Sequence, residues 1–219
     1  MWCSASITSV DKITNQTWKF VIQPNEIFDF IPGQFIQLKV RDTIRSYSIA
    51  SYDPKNNFFE LLIVKLDGGI MTKLLFEDIN VGEKIEIKGP IGRFTLPDNI
   101  DRDIFLICTG TGLAPFRSFL HFISKKNIPS KKIFLVFGTR TSGDLLCLDE
   151  ILDLENKLEN LKFIPVLSRE KWDGKMGYVH LQYLDIIKNT KLNSPIFYLC
   201  GWRDMIKEAR TNLKELGYD

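Results

Sequence analysis

Ile107-Cys108-Thr109-Gly110-Thr111-Gly112-Leu113-Ala114-Pro115-Phe116 is the stretch on which the fold turns. Ahead of it, Ile104-Phe105-Leu106-Ile107-Cys108 is a short apolar run of the kind that fills a fully buried strand. Behind it, Phe116 to Lys125 carries apolar residues at helical spacing. Two close glycines therefore stand where a strand becomes a helix, which is how a parallel α/β sheet makes a phosphate site. Small residues let backbone N–H groups approach an anion, and the helix N-terminus adds a favourable partial charge. The match to G-x-G-x-x-G is incomplete, because Pro115 stands where the third glycine belongs. A plain tight turn stays open as the alternative.

Around this stretch the chain alternates strands and helices. Strands are expected over 104–108, 133–137, 161–167 and 196–200. Helices are expected over 116–125, 148–158, 179–188 and 205–216. The helix 148–158 has acids early and Lys157 late, as the helix dipole prefers. Such alternation implies a parallel sheet covered on both faces.

The first ~100 residues read differently. Strands are expected over 4–10, 16–23, 34–40, 45–51, 58–66 and 84–88, with one short helix over 71–76. Turns fall at Asp11–Asn15, Pro32-Gly33, Asp53–Asn57, Gly68-Gly69 and Gly89-Pro90. Many short strands at close spacing predict a small closed antiparallel barrel. The boundary falls near Pro97–Arg102, giving a barrel domain over 1–98 and an α/β domain over 102–219.

Composition fits this reading. The 219 residues allow two domains of about 100 residues each. Hydrophobic content is 44% and charged content 26%, as in a soluble globular protein. A formal charge of +2 gives no argument for nucleic acid, and no apolar run is long enough to span a membrane. Met1-Trp2-Cys3-Ser4 does not open a secretory signal. Cys3, Cys108, Cys147 and Cys200 are scattered without a C-x-x-C, so no iron–sulfur cluster or structural zinc is expected within the chain. Reduced thiols in a cytoplasmic protein are the simplest reading. His121 and His180 lie far apart, which argues against a histidine metal site or a hydrolytic triad.

Arg45-Ser46-Tyr47-Ser48-Ile49-Ala50-Ser51 places Arg45 and Tyr47 on one face of a strand, Ser46 and Ser48 on the other. The plainer reading is an exposed edge strand with a solvated Arg and a half-buried Tyr. The functional one is a site for a flat phosphorylated aromatic ligand, since Arg pairs with phosphate and Tyr offers a ring face.

Taken together, these motifs resemble the ferredoxin–NADP(H) reductase superfamily over nearly the whole chain. Arg45-Ser46-Tyr47-Ser48 is similar to its R-x-Y-S flavin motif. Gly69-Ile70-Met71-Thr72 is similar to its second flavin motif, and Gly89-Pro90-Ile91-Gly92-Arg93-Phe94 to the segment joining its domains. Thr109–Phe116 resembles its nicotinamide-nucleotide motif, and Cys200-Gly201 with Met205 its C-G-x-x-x-M segment. Five motifs in order make coincidence a poor account.

The resemblance implies roles at matching positions. Arg45 would pair with the FAD pyrophosphate, Tyr47 stack on the isoalloxazine, and Ser48 hydrogen-bond near flavin N5. Ile63, Val64 and Lys65 would present backbone to the flavin. Gly69, Ile70, Met71 and Thr72 would hold the pyrophosphate, with a simple helix cap as the alternative for that segment. Gly110, Thr111, Gly112, Leu113 and Pro115 would line the nicotinamide nucleotide, with Cys200, Gly201 and Met205 beside the ring. Cys200 would align the ring rather than react covalently; a packed core thiol is its plainer reading. Ser48, Thr111 and Cys200 are the residues nearest the chemistry. Arg140, Ser168 and Arg169 would meet a 2′-phosphate, which favours NADP(H) over NAD(H), although a solvated loop is the plainer reading.

The implied activity is hydride transfer from NAD(P)H to FAD, then electrons to a separate carrier such as ferredoxin or another iron–sulfur protein. The alternative is a flavin electron-transfer subunit of a larger oxygenase or dehydrogenase. Many superfamily members end in an aromatic that covers the flavin; here Tyr218 falls near the end of the nucleotide domain and is not assigned to the flavin.

Overall fold

In a computed structural model the described residues are 1–55 and 57–218; Asn56 of the 53–57 turn and Asp219 lie outside them. Contacts divide the chain into two units. The first joins Met1–Pro97 with Ala114–Asn127, the second Asp98–Leu113 with the chain from Ile128 onward.

The first unit is one six-stranded antiparallel sheet, built from β1 (Cys3–Lys12), β2 (Thr17–Pro24), β3 (Phe35–Val40), β4 (Thr43–Ser48), β5 (Phe59–Val64) and β6 (Lys84–Ile91). The strand order is β4-β3-β6-β1-β2-β5. Period-two patterning drives it: Ile36, Leu38 and Val40 of β3 are buried, while Phe35, Gln37 and Lys39 are only half so. Across the sheet, Leu38 pairs with Ile87 in the core and Lys39 with Glu86 outside, where the two side chains form an ion pair at 2.6 Å. A bulge after Ile7 in β1, and an extra residue of β6 between Lys88 and Ile91 opposite Phe35–Gln37 of β3, help the sheet curl. The edges meet just past the end of β4, where the Ala50 N–H donates to the Glu60 carbonyl at 2.8 Å. The interior is filled by Phe20, Ile22, Phe59, Leu61, Met71 and their neighbours.

Between β5 and β6 lies the short helix α1 (Ile70–Lys73), which widens into a π-turn over Leu74–Asp78. β4 ends at Ser48 rather than Ser51: the Ile49 N–H still reaches the Gln34 carbonyl, next in register with β3, but Ala50 turns its N–H to Glu60 on the other edge. β6 runs through Gly89-Pro90 to Ile91, which pairs with Phe35.

The second unit is a five-stranded parallel sheet of β7 (Ile104–Thr109), β8 (Ile133–Thr139), β9 (Leu161–Leu167), the two-residue edge β10 (Lys175–Met176) and β11 (Ile196–Cys200). The order is β10-β9-β8-β7-β11. β7 and β8 are buried almost throughout, as continuous apolar runs require. The intervening helices are α3 (Leu148–Lys157), α4 (Val179–Asn189) and α5 (Arg203–Glu215), numbered after α2 (Leu113–Lys126). Tyr183, Met205, Ala209 and Leu213 pack with Phe105, Val136 and Val166 in one core.

Helix α2 begins at Leu113, three residues before the sequence reading. Pro115 falls in its first turn, where a missing N–H costs no hydrogen bond. From Ala114 on, α2 counts with the first unit. Arg117 Nη1 donates to the Ala50 carbonyl, Ser118 Oγ to that of Ser51 and Lys125 Nζ to that of Tyr52. These bonds tie the helix to the segment that follows β4. The ring of Phe119 stacks on Phe94 at 6.1 Å.

Candidate functional site

In the first unit, the residues singled out in sequence converge on the seam where the sheet's edges meet. β4 carries Arg45–Ser48, β5 carries Ile63 and Val64 with Lys65 just beyond, and both β5 and α1 contact β4. Tyr47 lies opposite Ile36 and Arg45 opposite Leu38, so the two share the sheet face that elsewhere forms the core. Because β4 is an edge, that face opens to solvent there. Arg45 is exposed and, among the described residues, its Nη1 donates only to the neighbouring Ile44 carbonyl; Tyr47 is half-buried against the core. Burial pushes the Tyr47 hydroxyl up to about 12 against the opposing pull of Arg45, so the ring is uncharged at neutral pH.

The turn into α1 completes this seam. Thr72 is 5% exposed, and its Oγ1 donates to the carbonyls of Leu66 (2.9 Å) and Gly69 (3.0 Å). Its hydroxyl therefore holds the turn. What the segment offers an anion is backbone: Gly69 caps α1 without a side-chain bond, and the N–H groups of a first turn lack helical partners. The side chains of Ile63 and Met71 lie in the core, so those residues too can present only main chain. Ile70 and Leu66 are exposed beside the turn. Lys65 is exposed and pairs with Glu77 at 3.0 Å. An exposed guanidinium, an uncapped helix start, a half-buried neutral ring and free apolar surface suit a large phosphorylated aromatic such as FAD.

In the second unit the chain starts at the sheet's middle. β7 is followed by β8, β9 and β10 to one side, while β11 returns on the other. The switch point thus lies between β7 and β11, and open α/β sheets bind ligands at that place, outside the strands' carboxyl ends. Gly110–Gly112 forms a 3-10 turn there. A side chain at Gly112 would overlap the backbone of Cys200 and Gly201, and one at Gly201 the backbone of Thr109. The Trp202 N–H donates to Thr109 Oγ1 at 2.9 Å, locking the two strand ends together. Gly110, by contrast, is exposed with φ +53° and faces open space. Thr111 is half-buried, whereas Leu113, Pro115 and Met205 are packed as core. Such a cradle fits a nucleotide's phosphates.

Cys200 pairs in register with Cys108. Burial pushes its thiol up to about 11, opposed by a bond from the Gly201 N–H; Cys108, wholly buried, is raised well above its ordinary value. Cys200 is therefore a neutral thiol at pH 7, able to make contact and unsuited to act as a nucleophile.

At the ends of β8 and β9 the structure brings Arg140, Ser168 and Arg169 together. The Ser168 N–H and Oγ both donate to the Thr139 carbonyl, and the Arg169 N–H to that of Arg140 at 2.9 Å. Two residues here escaped the sequence reading. Ser142 donates to Glu170 from its N–H (2.7 Å) and from its hydroxyl (2.9 Å). The adjacency of Glu170 to Arg169 was the available signal. Asp144, the first acid after β8, is spent on Thr141 in a capping box. Tyr218 packs on Phe197 at 4.9 Å within the second unit's core, where its ring is already used.

Comparison with known proteins agrees with this two-domain fold. A family profile described as oxidoreductase FAD-binding domain matches residues 4–96, and one described as oxidoreductase NAD-binding domain matches residues 106–211. The electron transfer component of anthranilate 1,2-dioxygenase from Acinetobacter baylyi is 35% identical over 194 residues, covering 85% of this chain and 54% of that protein. Among solved structures, the cytochrome P450 reductase of Amycolatopsis superposes with TM-score 0.90 at 26% identity, over 98% of this chain and 66% of its own. The ferredoxin NADP+ reductase of Neisseria gonorrhoeae, with bound FAD and NADP, gives 0.84 at 25% identity, over 100% of this chain and 92% of its own. The chain spans little more than half the length of the oxygenase reductase components it matches.

Proposed function

The chain belongs to the FAD- and NAD-binding oxidoreductases of the ferredoxin–NADP(H) reductase superfamily, and from that premise we propose that it is a reductase that draws hydride from NAD(P)H onto FAD and delivers electrons to a separate one-electron carrier. The observation that carries the reading is the convergence of Arg45–Ser48, Ile63–Lys65 and Gly69–Thr72 on the seam of the barrel.

The chain's own residues divide the work. Arg45 and the first-turn N–H groups from Ile70 to Thr72 neutralise the pyrophosphate. Tyr47 gives a neutral ring face, and Ser48 a hydroxyl for the flavin's polar edge. The Ile63–Lys65 backbone fixes the flavin's orientation. Gly110, Thr111 and Gly112 seat the nicotinamide nucleotide, with Leu113, Pro115, Gly201 and Met205 setting the cradle's walls. Cys200 orients the nicotinamide by contact. Arg140, Ser168 and Arg169 favour NADPH, since two unpaired guanidiniums suit a doubly charged 2′-phosphate. Bound FAD supplies the conversion between a two-electron donor and a one-electron acceptor.

We take the domains as 1–98 and 102–219, while by contacts α2 from Ala114 on counts with the first unit. Among the described residues no helix is long and apolar enough to cross a membrane, and the four cysteines are in no disulfide. A cytoplasmic setting suits those thiols.

The test is an absorbance spectrum of the purified chain with anaerobic NADPH and NADH titrations. Flavin bands bleached by either nucleotide are expected; a colourless chain that binds no added FAD overturns the reading. A second reading, a flavin electron-transfer subunit of a larger oxygenase, is favoured by the relative that serves a dioxygenase. Turnover of the isolated chain with a soluble one-electron acceptor separates the two, since a subunit needs its oxygenase.

A further inference from the structure

Beyond the ends of β8 and β9 the backbone bonds Ser168–Thr139 and Arg169–Arg140 carry the pairing one residue further. Arg140 and Arg169 are thereby held as neighbours, both exposed. Among the described residues, neither guanidinium is paired with a carboxylate. Yet two acids lie close in sequence. Asp144 is taken by the N–H and hydroxyl of Thr141. Glu170, next to Arg169, is taken by Ser142, whose N–H donates to Oε2 at 2.7 Å and whose Oγ donates to Oε1 at 2.9 Å and Oε2 at 3.1 Å.

The competition is physical. A carboxylate beside two exposed arginines is drawn to them, but an exposed ion pair is weak, screened and costly in side-chain entropy. A carboxylate accepting an N–H from fixed backbone and a hydroxyl from the same residue has stronger, shorter, pre-aligned partners. Ser142 therefore wins Glu170 and leaves the arginines without a counter-ion.

We propose that the Ser142–Glu170 clamp is a specificity device: by holding the Glu170 carboxylate it keeps Arg140 and Arg169 available for an adenosine 2′-phosphate. Neither clamp residue needs to touch the ligand, so both are positioning residues. This rests on reading these strand ends as the adenosine end of the nucleotide site.

The test uses the whole chain and titration calorimetry with adenosine 2′,5′-bisphosphate and adenosine 5′-monophosphate, which differ only in the 2′-phosphate. Ser142→Pro deletes both donors. The turn should survive it, because Ser142 is the first residue of its 3-10 turn and Thr141 before it is extended, where proline is tolerated. Freed, Glu170 pairs with the arginines, and bisphosphate affinity should fall roughly ten- to a hundredfold with the monophosphate unchanged. Adding Glu170→Gln to that variant removes the competitor and should restore bisphosphate binding. Glu170→Gln alone, a milder change, should leave the bisphosphate as tight as in the wild type or tighter. The proposal is overturned if Ser142→Pro weakens both ligands alike, if the double variant stays weak, or if Glu170→Gln weakens the monophosphate. A wild-type chain that binds both ligands with equal affinity also overturns it, while one that binds neither overturns the nucleotide-site reading itself.

Discussion

Gly112 and Cys200 meet backbone to backbone. A Cβ at position 112 would sit 2.6 Å from the Cys200 carbonyl carbon and closer still to its oxygen. This is the contact that closes the switch point between β7 and β11. Main chain cannot swing aside as a side chain can, so Gly112→Ala should destabilise the second unit by about 1–3 kcal/mol or more. Gly110→Ala meets nothing within 4 Å and pays only for its left-handed backbone, about 1–2 kcal/mol. The second variant should nevertheless weaken nucleotide binding, because its methyl group enters the cradle. Thermal unfolding and NADP+ titration of both variants check this; a Gly112→Ala chain as stable as wild type refutes the close approach.

Arg117, 6% exposed, donates to both Glu60 and the Ala50 carbonyl. Arg117→Met leaves Glu60 with Lys19 at 3.7 Å and the carbonyl without this donor. Breaking a buried pair from one side costs about 3–5 kcal/mol, and the remaining Lys19 places the expectation at the lower end. The readout is the denaturant midpoint of the first unit. A loss under about 1 kcal/mol would mean the pair behaves as a surface one.

Arg45→Ala should lower FAD retention while leaving the barrel folded, since Arg45 is exposed and its guanidinium bonds to the adjacent Ile44 carbonyl. Tyr47→Phe keeps the ring face and should keep flavin; Tyr47→Ala should lose it. Each contact is worth on the order of 1–3 kcal/mol. The ratio of flavin to protein absorbance, with circular dichroism for the fold, decides the matter. Full flavin content in Arg45→Ala and Tyr47→Ala removes this strand from the site.

Cys200 predicts an alkaline effect. Its folded pKa, raised by burial to about 11, exceeds the ordinary thiol value of 9.0. A group raised on folding contributes stability that is complete below the unfolded pKa and lost as pH climbs through the folded one. The second unit should therefore weaken between about pH 9 and pH 11, by about 2–3 kcal/mol from this thiol. Cys200→Ser has no such titration and should show a shallower decline, with the raised Cys108 accounting for part of what remains. Identical slopes in urea melts across that range would show that the thiol is not desolvated.

The local chemistry of the chain determined its elements. The bounds of β9 and β11 are those that the runs Leu161–Leu167 and Ile196–Cys200 predict: both are apolar nearly throughout, with Lys162 of β9 exposed and the edge strand β11 half-buried along its length. Two glycines between a strand and a helix marked the turn at 110–112, and the alternation in the first hundred residues marked the sheet. What no local pattern carries is who stands beside whom. Only tertiary structure set β11 against β7, so that Gly112 and Gly201 interlock two strands some ninety residues apart. Only it tied α2 to the chain after β4 through Arg117 and Ser118, and gave Glu170 to Ser142 rather than to its neighbour Arg169. Helix and strand periods follow from one residue's bond geometry, and so repeat in the sequence. Pairing across the fold is a competition among distant partners for burial and hydrogen bonds, settled only when the whole chain is assembled.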